Sequence, residues 1–325
     1  MTVDGSGAPA VARGTDPVDD ATLALLVEVA GTPKPGNVDR HRDLGTLRFE
    51  SFLGGAVGAR AGLERAADGG DGVGDAFERA VAGMAARAGT NTQFGCLLLL
   101  TPLVRAAATP ARDLSSAGVD AVCRATTVDD AVAFYRAFDR VDVAVDDPPA
   151  DAADLDVRRG GGAEPALRAR GATLRDVLAL SAAPDDPERV ADRNAAEWVE
   201  GFPRTFRAAE WIVADEGPLA DRAARAFLGL LAAEPDTLVA SVQGAGTASE
   251  TRERAADALG VDRTRAGAGA AASGVDADAV HGADLDAAEA LADAFVAEGI
   301  NPGTTADLTC AALFVAIRRG AEVTP

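Results

Sequence analysis

The stretch Thr90-Asn-Thr-Gln-Phe-Gly-Cys-Leu-Leu-Leu-Leu-Thr-Pro102 indicates the class of fold. Asn91 is a good helix N-cap, and the apolar residues that follow it recur at helical spacing. The four consecutive leucines make this helix apolar on nearly every side, which is typical of a helix buried at the centre of a domain. We therefore expect a helical core built around this segment.

The rest of the chain also favours helices. Apolar residues make up 48% of the 325 residues but aromatic residues only 4%, so the core consists of Ala, Leu and Val, of which Ala and Leu are strong helix formers. No strand-like alternation and no internal repeat occurs. The sequence predicts one all-α domain over 16–325, preceded by a disordered tail over 1–15. Amphipathic segments predict helices over 17–30, 48–67, 75–88, 116–140, 173–182, 186–200, 203–215, 218–234, 235–243, 248–259, 283–298 and 302–319.

Residues 141–171 interrupt this pattern with a segment rich in Asp, Pro and Gly. It contains Asp146-Asp147-Pro148-Pro149 and Arg158-Arg159-Gly160-Gly161-Gly162. Loops of about thirty residues inside a domain are usually functional lids or disordered segments. We interpret this one as a partly ordered lid, with disorder as the alternative, and a Gly/Ala-rich linker is predicted over 266–274.

Charge and composition exclude several functions. The 51 acidic residues outnumber the 31 basic ones, for a net charge of −20, whereas a non-specific nucleic-acid binder needs basic surface. The aspartate excess with a single lysine is typical of a protein from a high-salt cytoplasm. Two histidines and three widely separated cysteines exclude a polyhistidine centre and predict neither disulfides nor zinc. No apolar signal region opens the chain, and Leu97–Leu100 is too short to span a membrane, so we expect a cytoplasmic protein.

A proline-stiffened turn, Thr32-Pro-Lys-Pro-Gly-Asn-Val-Asp-Arg-His-Arg-Asp43, is the first candidate site. It holds Lys34, the only lysine in the chain. Proline fixes φ and glycine permits turns that are closed to other residues, so the turn should be rigid. Four basic and two acidic residues between positions 34 and 48 make it locally basic. A solvated loop is the alternative, but a rigid basic turn with interleaved carboxylates suits an anionic ligand with a metal ion.

Polar helix starts form the second part of the candidate site. Asn301-Pro-Gly-Thr-Thr-Ala-Asp307 places a cap, a proline at N1 and a close-approach glycine at the start of the last helix. A helix N-terminus can bind phosphate through its free N–H groups, and Asp307 could hold a magnesium ion that bridges to that phosphate. Thr90–Gln93 opens the central helix in the same way, and Asp236 follows Glu234-Pro235 as a third candidate, either N-cap or ligand. No phosphate-binding glycine loop, dinucleotide-binding motif or serine-nucleophile elbow is present.

Four motifs together resemble the triphosphoribosyl-dephospho-CoA synthase family. They are Thr32-Pro-Lys-Pro-Gly-Asn-Val-Asp-Arg40, Thr90-Asn-Thr-Gln93, Pro235-Asp-Thr-Leu238 and Asn301-Pro-Gly-Thr-Thr-Ala-Asp307, in this order within residues 18–320. The resemblance implies an all-α transferase that builds the prosthetic group of citrate lyase and malonate decarboxylase. Its substrates would be ATP and 3′-dephospho-CoA. The ribose C1′ of ATP would be joined to the 2′-hydroxyl of dephospho-CoA, with release of adenine and retention of the triphosphate.

The resemblance and the residue types together suggest roles for the residues of these motifs. The catalytic residues would be Lys34, Asp39 and Arg40, with Asp39 as the base because it lies in the rigid turn beside Arg40. Because arginine has replaced every other lysine, Lys34 should have a specific task, and it would contact the phosphates of the nucleotide directly. The other residues that would bind the nucleotide are Gly36, Asn37, Asn91, Thr92, Gln93, Asn301, Gly303 and Thr304. A magnesium ion would be held among Asp39, Asp43, Asp236 and Asp307, and the sequence does not decide which carboxylate is the base.

Three departures from the bacterial pattern leave alternatives open. Gln93 and Phe94 stand where bacterial members usually have histidine and lysine, no Ala-Arg-Gly-Glu segment is evident around 160–170, and Ala240–Gln243 replaces a basic stretch. The pattern is closer to an archaeal branch. The alternatives are a magnesium-dependent glycohydrolase of nucleotides or ADP-ribose-like substrates and a non-catalytic nucleotide-binding module. We expect a nucleotide and a CoA-type acceptor as partners, without nucleic acid or membrane, and the choice between monomer and homodimer is open.

Overall fold

The leucine-rich helix predicted from Thr90–Pro102 lies at the centre of the structure. A computed structural model of the chain describes residues 15–110, 113–183, 190–261 and 275–323. In it, helix α4 (Phe94–Ala108) buries Leu97, Leu99 and Leu100 completely. Because α4 has almost no solvent-facing side, other helices pack around it.

Helices and short helical turns account for the regular structure in the described ranges, which confirms the predicted all-α fold. Single isolated bridges at Asp39–Arg42 and Leu44–Leu47 are the only extended pairings among the described residues. Helices α1, α2, α3, α5, α9 and α16 contact α4. The bounds of the α-helices are α1 (Pro17–Ala30), α2 (Phe49–Asp68), α3 (Val73–Ala88), α4 (Phe94–Ala108), α5 (Ser116–Arg124), α6 (Val128–Phe138), α7 (Glu164–Arg170), α8 (Leu174–Ala182), α9 (Arg193–Glu200), α10 (Pro203–Ala214), α11 (Leu219–Ala233), α12 (Thr237–Gln243), α13 (Ala245–Ala258), α14 (Ala277–His281), α15 (Leu285–Glu298) and α16 (Gly303–Arg318).

Side-chain caps set the start of many of these helices. Asp16 accepts a hydrogen bond from the Val18 backbone N–H, with Pro17 in the first turn of α1. Thr127 and Thr173 each form a capping box, at the starts of α6 and α8. Each cap satisfies N–H groups that the helix itself leaves unpaired, so these starts are determined locally.

Glycines allow α2 and α3 to pack at short distance. A Cβ at Gly83 would lie 2.1 Å from the Gly58 carbonyl oxygen, and a Cβ at Gly62 would lie 2.2 Å from the Ala80 nitrogen. The two backbones therefore touch where a side chain would separate them. This close pair supports one side of α4 and the Phe77, Phe94 and Phe134 ring cluster below it.

A second, smaller core supports the loop that precedes α16. Phe227 and Leu231 of α11, Phe295 of α15 and Ile300 are all buried in it. The turn at Gly299 has φ of 69°, a conformation that glycine adopts without strain. This cluster fixes the position of residues 300–302 and hence of the first turn of α16.

The structure differs from the thirty-residue loop predicted over 141–171. Residues 141–149 are irregular, but two 3₁₀ helices follow at Ala150–Leu155 and Val157–Ala163, and α7 comes next. The Tyr135 hydroxyl donates to the Leu155 carbonyl at 2.5 Å, and Arg170 pairs with Asp154 at 2.5 Å. Local ion pairs and a buried tyrosine thus order a segment whose composition alone predicts irregular chain.

Other differences concern the limits of elements. The predicted start at 186 lies outside the described residues, and α9 begins at Arg193, where Asp192 caps it. The short helix α14 was not predicted. The predicted linker over 266–274 lies outside the described residues, as does the predicted tail except for its last residue, Thr15. No helix in the described part of the chain combines the length and apolarity needed to cross a membrane.

The α2–α3 contact gives a direct test of the packing. We expect Gly83→Ala to lower the free energy of unfolding by about 1–3 kcal/mol, because the added methyl group overlaps the Gly58 carbonyl. Gly54→Ala, in α2, is the matched control, since its Cβ would meet only ordinary contacts from 3.5 Å outward. This control should raise stability by roughly 0.5–1 kcal/mol. Urea denaturation of both variants measures the difference, and equal stability would contradict the packing.

Candidate active site

A cavity of about 310 Å³ opens where the first turns of α4, α9, α12 and α16 meet. One wall is polar and consists of these helix starts with Asn37 and Asn301. The opposite wall is apolar, with Phe134 and Phe138 of α6 and Leu178 of α8. Residues 143–149, from the irregular segment before the first 3₁₀ helix, also line the cavity. The volume lies at the lower end of the range for small-molecule sites, about 300–1,000 Å³.

The charged groups that line this cavity are carboxylates. No lysine, arginine or histidine lines it in the described part of the chain. A buried acidic site of this kind attracts cations and disfavours an anion that arrives without a counter-ion. This differs from the basic site that the local charge of the 34–48 segment suggested. The acidic lining residues are Glu28, Asp146, Asp147, Asp156, Asp192 and Asp307.

Asp307 lies one turn into α16 and lines the cavity. Its Oδ2 accepts a hydrogen bond from Asn194 Nδ2 at 2.8 Å, and its Oδ1 accepts one from the Cys96 thiol at 3.2 Å. Protein surrounds it on every side except the cavity, and this burial raises the pKa of Asp307 to about 7, against the two hydrogen bonds, which lower it. A carboxylate with this pKa can exchange a proton near neutral pH.

Gly95 makes room for that carboxylate. A Cβ at Gly95 would lie 1.9 Å from Asp307 Oδ2 and 2.7 Å from Asn194 Nδ2. Gly95 occupies the first turn of α4, so α4 meets α9 and α16 at this point. Only glycine at position 95 lets these three helix starts come together around Asp307.

The single lysine is turned into the protein rather than toward the cavity. The Lys34 ammonium is 1% exposed; it pairs with Glu28 and donates to Asn37 Oδ1 at 3.1 Å. Burial raises the pKa of Glu28, and the charge of Lys34 opposes this shift. Glu28 and Asn37 both line the cavity, whereas Lys34 does not. The lysine therefore holds two side chains that face the cavity.

The turn around Lys34 docks on the loop before α16. Asn37 Nδ2 donates to Asn301 Oδ1 at 3.0 Å. Gly36 has φ of 75°, and a Cβ there would lie 2.2 Å from the Ile300 carbonyl oxygen. Two motifs that lie 264 residues apart in sequence thus form one wall. Asn301 does not cap α16, which begins at Gly303 with Pro302 as its N-cap residue.

Asp39, predicted as the base, organises the turn from inside. It is fully buried and accepts hydrogen bonds from Thr32 Oγ1 at 2.9 Å and from His41 N at 2.8 Å. It also pairs with Arg42 at 3.1 Å, and it is not among the residues that line the cavity. The neighbouring Arg40 is exposed. This geometry gives Asp39 the role of a scaffold for the turn.

Asp236, a predicted metal ligand, occupies the start of α16 itself. Its Oδ2 accepts from the Thr305 backbone N–H at 2.8 Å and from Arg193 at 3.0 Å, and its Oδ1 caps α12 through Val239 N at 3.1 Å. Asp236 and Arg193 are both buried. A carboxylate of the protein therefore fills the position where a ligand phosphate was predicted, and it connects α9, α12 and α16.

Some of the remaining predicted site residues line the cavity, and others lie outside it. Thr92, Gly303 and Thr304 line the cavity, and Thr304 Oγ1 accepts from Leu238 N at 3.3 Å. Asn91 also lines it and binds Phe94 N and the Asp142 carbonyl, each at 3.2 Å. Gln93, by contrast, donates to the Leu25 carbonyl in the core. Asp43 is outside the cavity and pairs with Arg48 at 2.7 Å while accepting from Phe49 N at the start of α2.

Sequence reasoning missed several residues of the cavity. Glu28 could have been found from the sequence, because it is a charged residue within the apolar end of α1. In the structure it is 2% exposed. No feature of the sequence distinguishes Gly95 or Asn194, because a glycine in a first turn and a polar residue after a cap are common local patterns. Asp192 is recognisable as a cap of α9 but not as a cavity residue.

The Lys34–Glu28 pair gives a stability test. Lys34→Met leaves a buried carboxylate unpaired, so we expect the free energy of unfolding to fall by about 3–5 kcal/mol. Adding Glu28→Gln should recover a large part of that loss. Arg60→Met removes an exposed ion pair with Asp19 and should change stability by less than about 1 kcal/mol. Urea denaturation at pH 7 compares the wild type with these three variants. A loss for Lys34→Met no larger than that for Arg60→Met would show that the buried pair does not stabilise the fold.

Comparison with known proteins identifies relatives of this chain in fold and in sequence. A crystal structure of a candidate triphosphoribosyl-dephospho-CoA synthase from Archaeoglobus fulgidus has a TM-score of 0.59 and 22% identity, covering 83% of this chain and 100% of that chain. At that identity the likeness shows the shared fold. No curated protein matches this chain. The profile of the CitG family, described as ATP:dephospho-CoA triphosphoribosyl transferase, matches residues 15–323. The chain therefore belongs to the ATP:dephospho-CoA triphosphoribosyl transferase family.

Proposed function

We propose that this chain transfers the triphosphoribosyl group of ATP to the 2′-hydroxyl of 3′-dephospho-CoA and releases adenine, with Asp307 as the base. Family membership supports the reaction. The observation that supports the site is a cavity-facing carboxylate whose pKa is raised to about 7. Strongly shifted groups in clefts are frequent at active sites.

The proposed step needs one proton acceptor and one leaving group. The ionised Asp307 carboxylate takes the proton of the acceptor 2′-hydroxyl as its oxygen bonds to C1′ of the ATP ribose. The bond from C1′ to N9 of adenine breaks, and its electron pair stays on adenine. Adenine takes up one proton from solvent at N9, and Asp307 returns the proton of the hydroxyl to solvent, so no net proton is gained or lost. General-base assistance of this kind contributes roughly 10²–10⁴-fold to rate.

The acidic lining suits the charge that develops in this step. Departure of adenine gives C1′ oxocarbenium character, so positive charge appears at the ribose in the transition state. Asp307 lines the cavity with no described basic side chain beside it on the lining, whereas the charge of Glu28 is paired with Lys34 behind the lining. Fixed negative charge stabilises such a transition state more than the neutral ground state. This supports glycosyl transfer at this site.

A magnesium ion fits the donor set as a companion of the triphosphate. Magnesium is usually held by one or two carboxylates together with substrate phosphates and water. Asp192 and Asp146 would hold it: burial raises the pKa of Asp192, and the neighbouring Asp146 carboxylate raises it further. When bound, the ion would neutralise phosphate charge in a cavity without described basic lining. No group of three potential ligands occurs among the described residues, so the phosphates would complete the site.

The other residues of the cavity would orient the substrates. The rings of Phe94, Phe134 and Phe138 form the apolar wall that suits an adenine ring. Lys34 would act through Glu28 and Asn37, whose positions it sets. We thus propose a positioning role for Lys34 rather than direct contact with phosphate.

The reaction can be tested with the purified protein. With ATP, magnesium and 3′-dephospho-CoA, we expect adenine and a coupled triphosphoribosyl product in equal amounts, measured by chromatography and mass spectrometry. Omission of dephospho-CoA should abolish most adenine release. Adenine formed at the same rate without any acceptor would indicate a hydrolase, and ATP bound without adenine release under any condition would indicate a binding module.

The base can be tested by Asp307→Asn. We expect kcat/KM to fall by roughly 10²–10⁴-fold. In the wild-type protein kcat/KM should decline as pH drops below about 7, where Asp307 gains its proton. Asp43→Asn, which alters an exposed carboxylate outside the cavity, is the control and should retain activity. A wild-type level of activity in Asp307→Asn would exclude this carboxylate as the base.

The same substitution should stabilise the fold. The folded-state pKa of Asp307 lies above its unfolded value of 3.8, so ionised Asp307 destabilises the protein as pH rises through this interval. Asp307→Asn should therefore raise Tm more at pH 8 than at pH 5. Calorimetry at both pH values measures the change, and a lower Tm at pH 8 would show that the carboxylate stabilises the fold.

A further inference from the structure

Asn194 carries a hydrogen-bond acceptor that no group in the described part of the chain uses. The residue lines the cavity and is 9% exposed. Its Oδ1 is buried and has no hydrogen-bond partner among the described residues. A buried carbonyl oxygen without a donor is unfavourable, so a ligand with an O–H or N–H group that reaches this oxygen would remove that penalty.

The orientation of the Asn194 amide is fixed by its neighbours. Nδ2 donates to Asp307 Oδ2 at 2.8 Å, and a flipped amide would instead place Oδ1 against that carboxylate. The Asn194 backbone N–H donates to Asp192 at 2.9 Å. The preceding residue, Arg193, is anchored to Asp236 at 3.0 Å and to Thr305 at 2.7 Å. Asn194 Oδ1 is thus held in place next to the proposed base.

Two acceptors therefore belong to side chains that are hydrogen-bonded to each other, on two residues that line the cavity. Asp307 is the proposed acceptor for the proton of the attacking 2′-hydroxyl, and Asn194 Oδ1 belongs to the amide that contacts Asp307 directly. Ribose carries its 3′-hydroxyl next to its 2′-hydroxyl on the same face. A pair of neighbouring acceptors matches a pair of neighbouring hydroxyl donors.

We propose that Asn194 Oδ1 accepts a hydrogen bond from the ribose 3′-hydroxyl of the acceptor while Asp307 engages its 2′-hydroxyl. Asn194 is then the residue that selects a free cis-diol. This inference rests on the proposed transfer to a 2′-hydroxyl. It adds Asn194 as the residue that binds the neighbouring 3′-hydroxyl.

The same geometry predicts rejection of an acceptor that carries a 3′-phosphate. A phosphate has no donor for Asn194 Oδ1 at neutral pH. It would also bring negative charge against Asp307 and Glu28, and no described lysine or arginine lines the cavity to compensate it. Leaving a buried polar group unpaired is a strong basis for discrimination between similar ligands. Coenzyme A should therefore bind much more weakly than its 3′-dephospho form.

Binding measurements test the inference independently of turnover. Titration calorimetry with dephospho-CoA, its 3′-deoxy analogue and coenzyme A gives a Kd for each with the wild-type protein and with Asn194→Ala. In the wild type we expect dephospho-CoA to bind about 10- to 100-fold tighter than the 3′-deoxy analogue. In Asn194→Ala this ratio should fall to within about threefold. Asn194→Ser, which cannot reach the same point, should behave like Asn194→Ala.

The outcomes separate the inference from the proposed reaction. An unchanged ratio in both variants, with all Kd values shifted equally, would overturn the inference and leave Asn194 as a support for Asp307. A ratio that changes for 3′-deoxy-ATP against ATP, but not for the acceptor pair, would also overturn it, since Asn194 would then serve the ATP ribose. Absence of adenine release with the expected Kd ratios would count against the reaction while supporting the cis-diol site.

Discussion

The buried Asp236 carboxylate is the contact on which the site depends. It caps α12 and accepts from Arg193 of α9 and from Thr305 of α16. The residues that line the cavity follow these partners closely in sequence. Asn194 comes directly after Arg193, and Asp307 comes two residues after Thr305. Both oxygens of this buried carboxylate are hydrogen-bonded, to three different helices. It therefore sets the relative position of the Asn194 amide and the proposed base.

The site that results is acidic rather than basic, and this has a chemical consequence. A phosphate-binding surface is expected to carry arginine and lysine, yet the described lining of this cavity carries carboxylates alone among charged groups. Such a lining suits the proposed reaction, in which positive charge develops on a sugar carbon, and under that proposal a metal ion would neutralise the triphosphate. Burial within the protein raises the pKa of Asp307.

The turn around Lys34 shows where prediction from composition stops. That the only lysine has a specific task was inferred from its rarity, and the structure buries it in an ion pair with Glu28. The direct phosphate contact predicted for it does not follow from rarity, because a side chain's direction depends on its partners. Asp39 is a similar case: its place in a rigid turn was evident, but its hydrogen bonds to Thr32 and His41 turn it inward.

By itself, the sequence determined the all-α fold, most helix positions and the segments that meet at the cavity, since helical periodicity, caps and proline-glycine turns are local properties. Only the tertiary structure decided which side chains of those segments face the cavity. The partners of Asp307 are Cys96 and Asn194, which lie 211 and 113 residues away along the chain. Burial and hydrogen bonding, which set the pKa and direction of a carboxylate, come from such distant neighbours, and no local pattern encodes them.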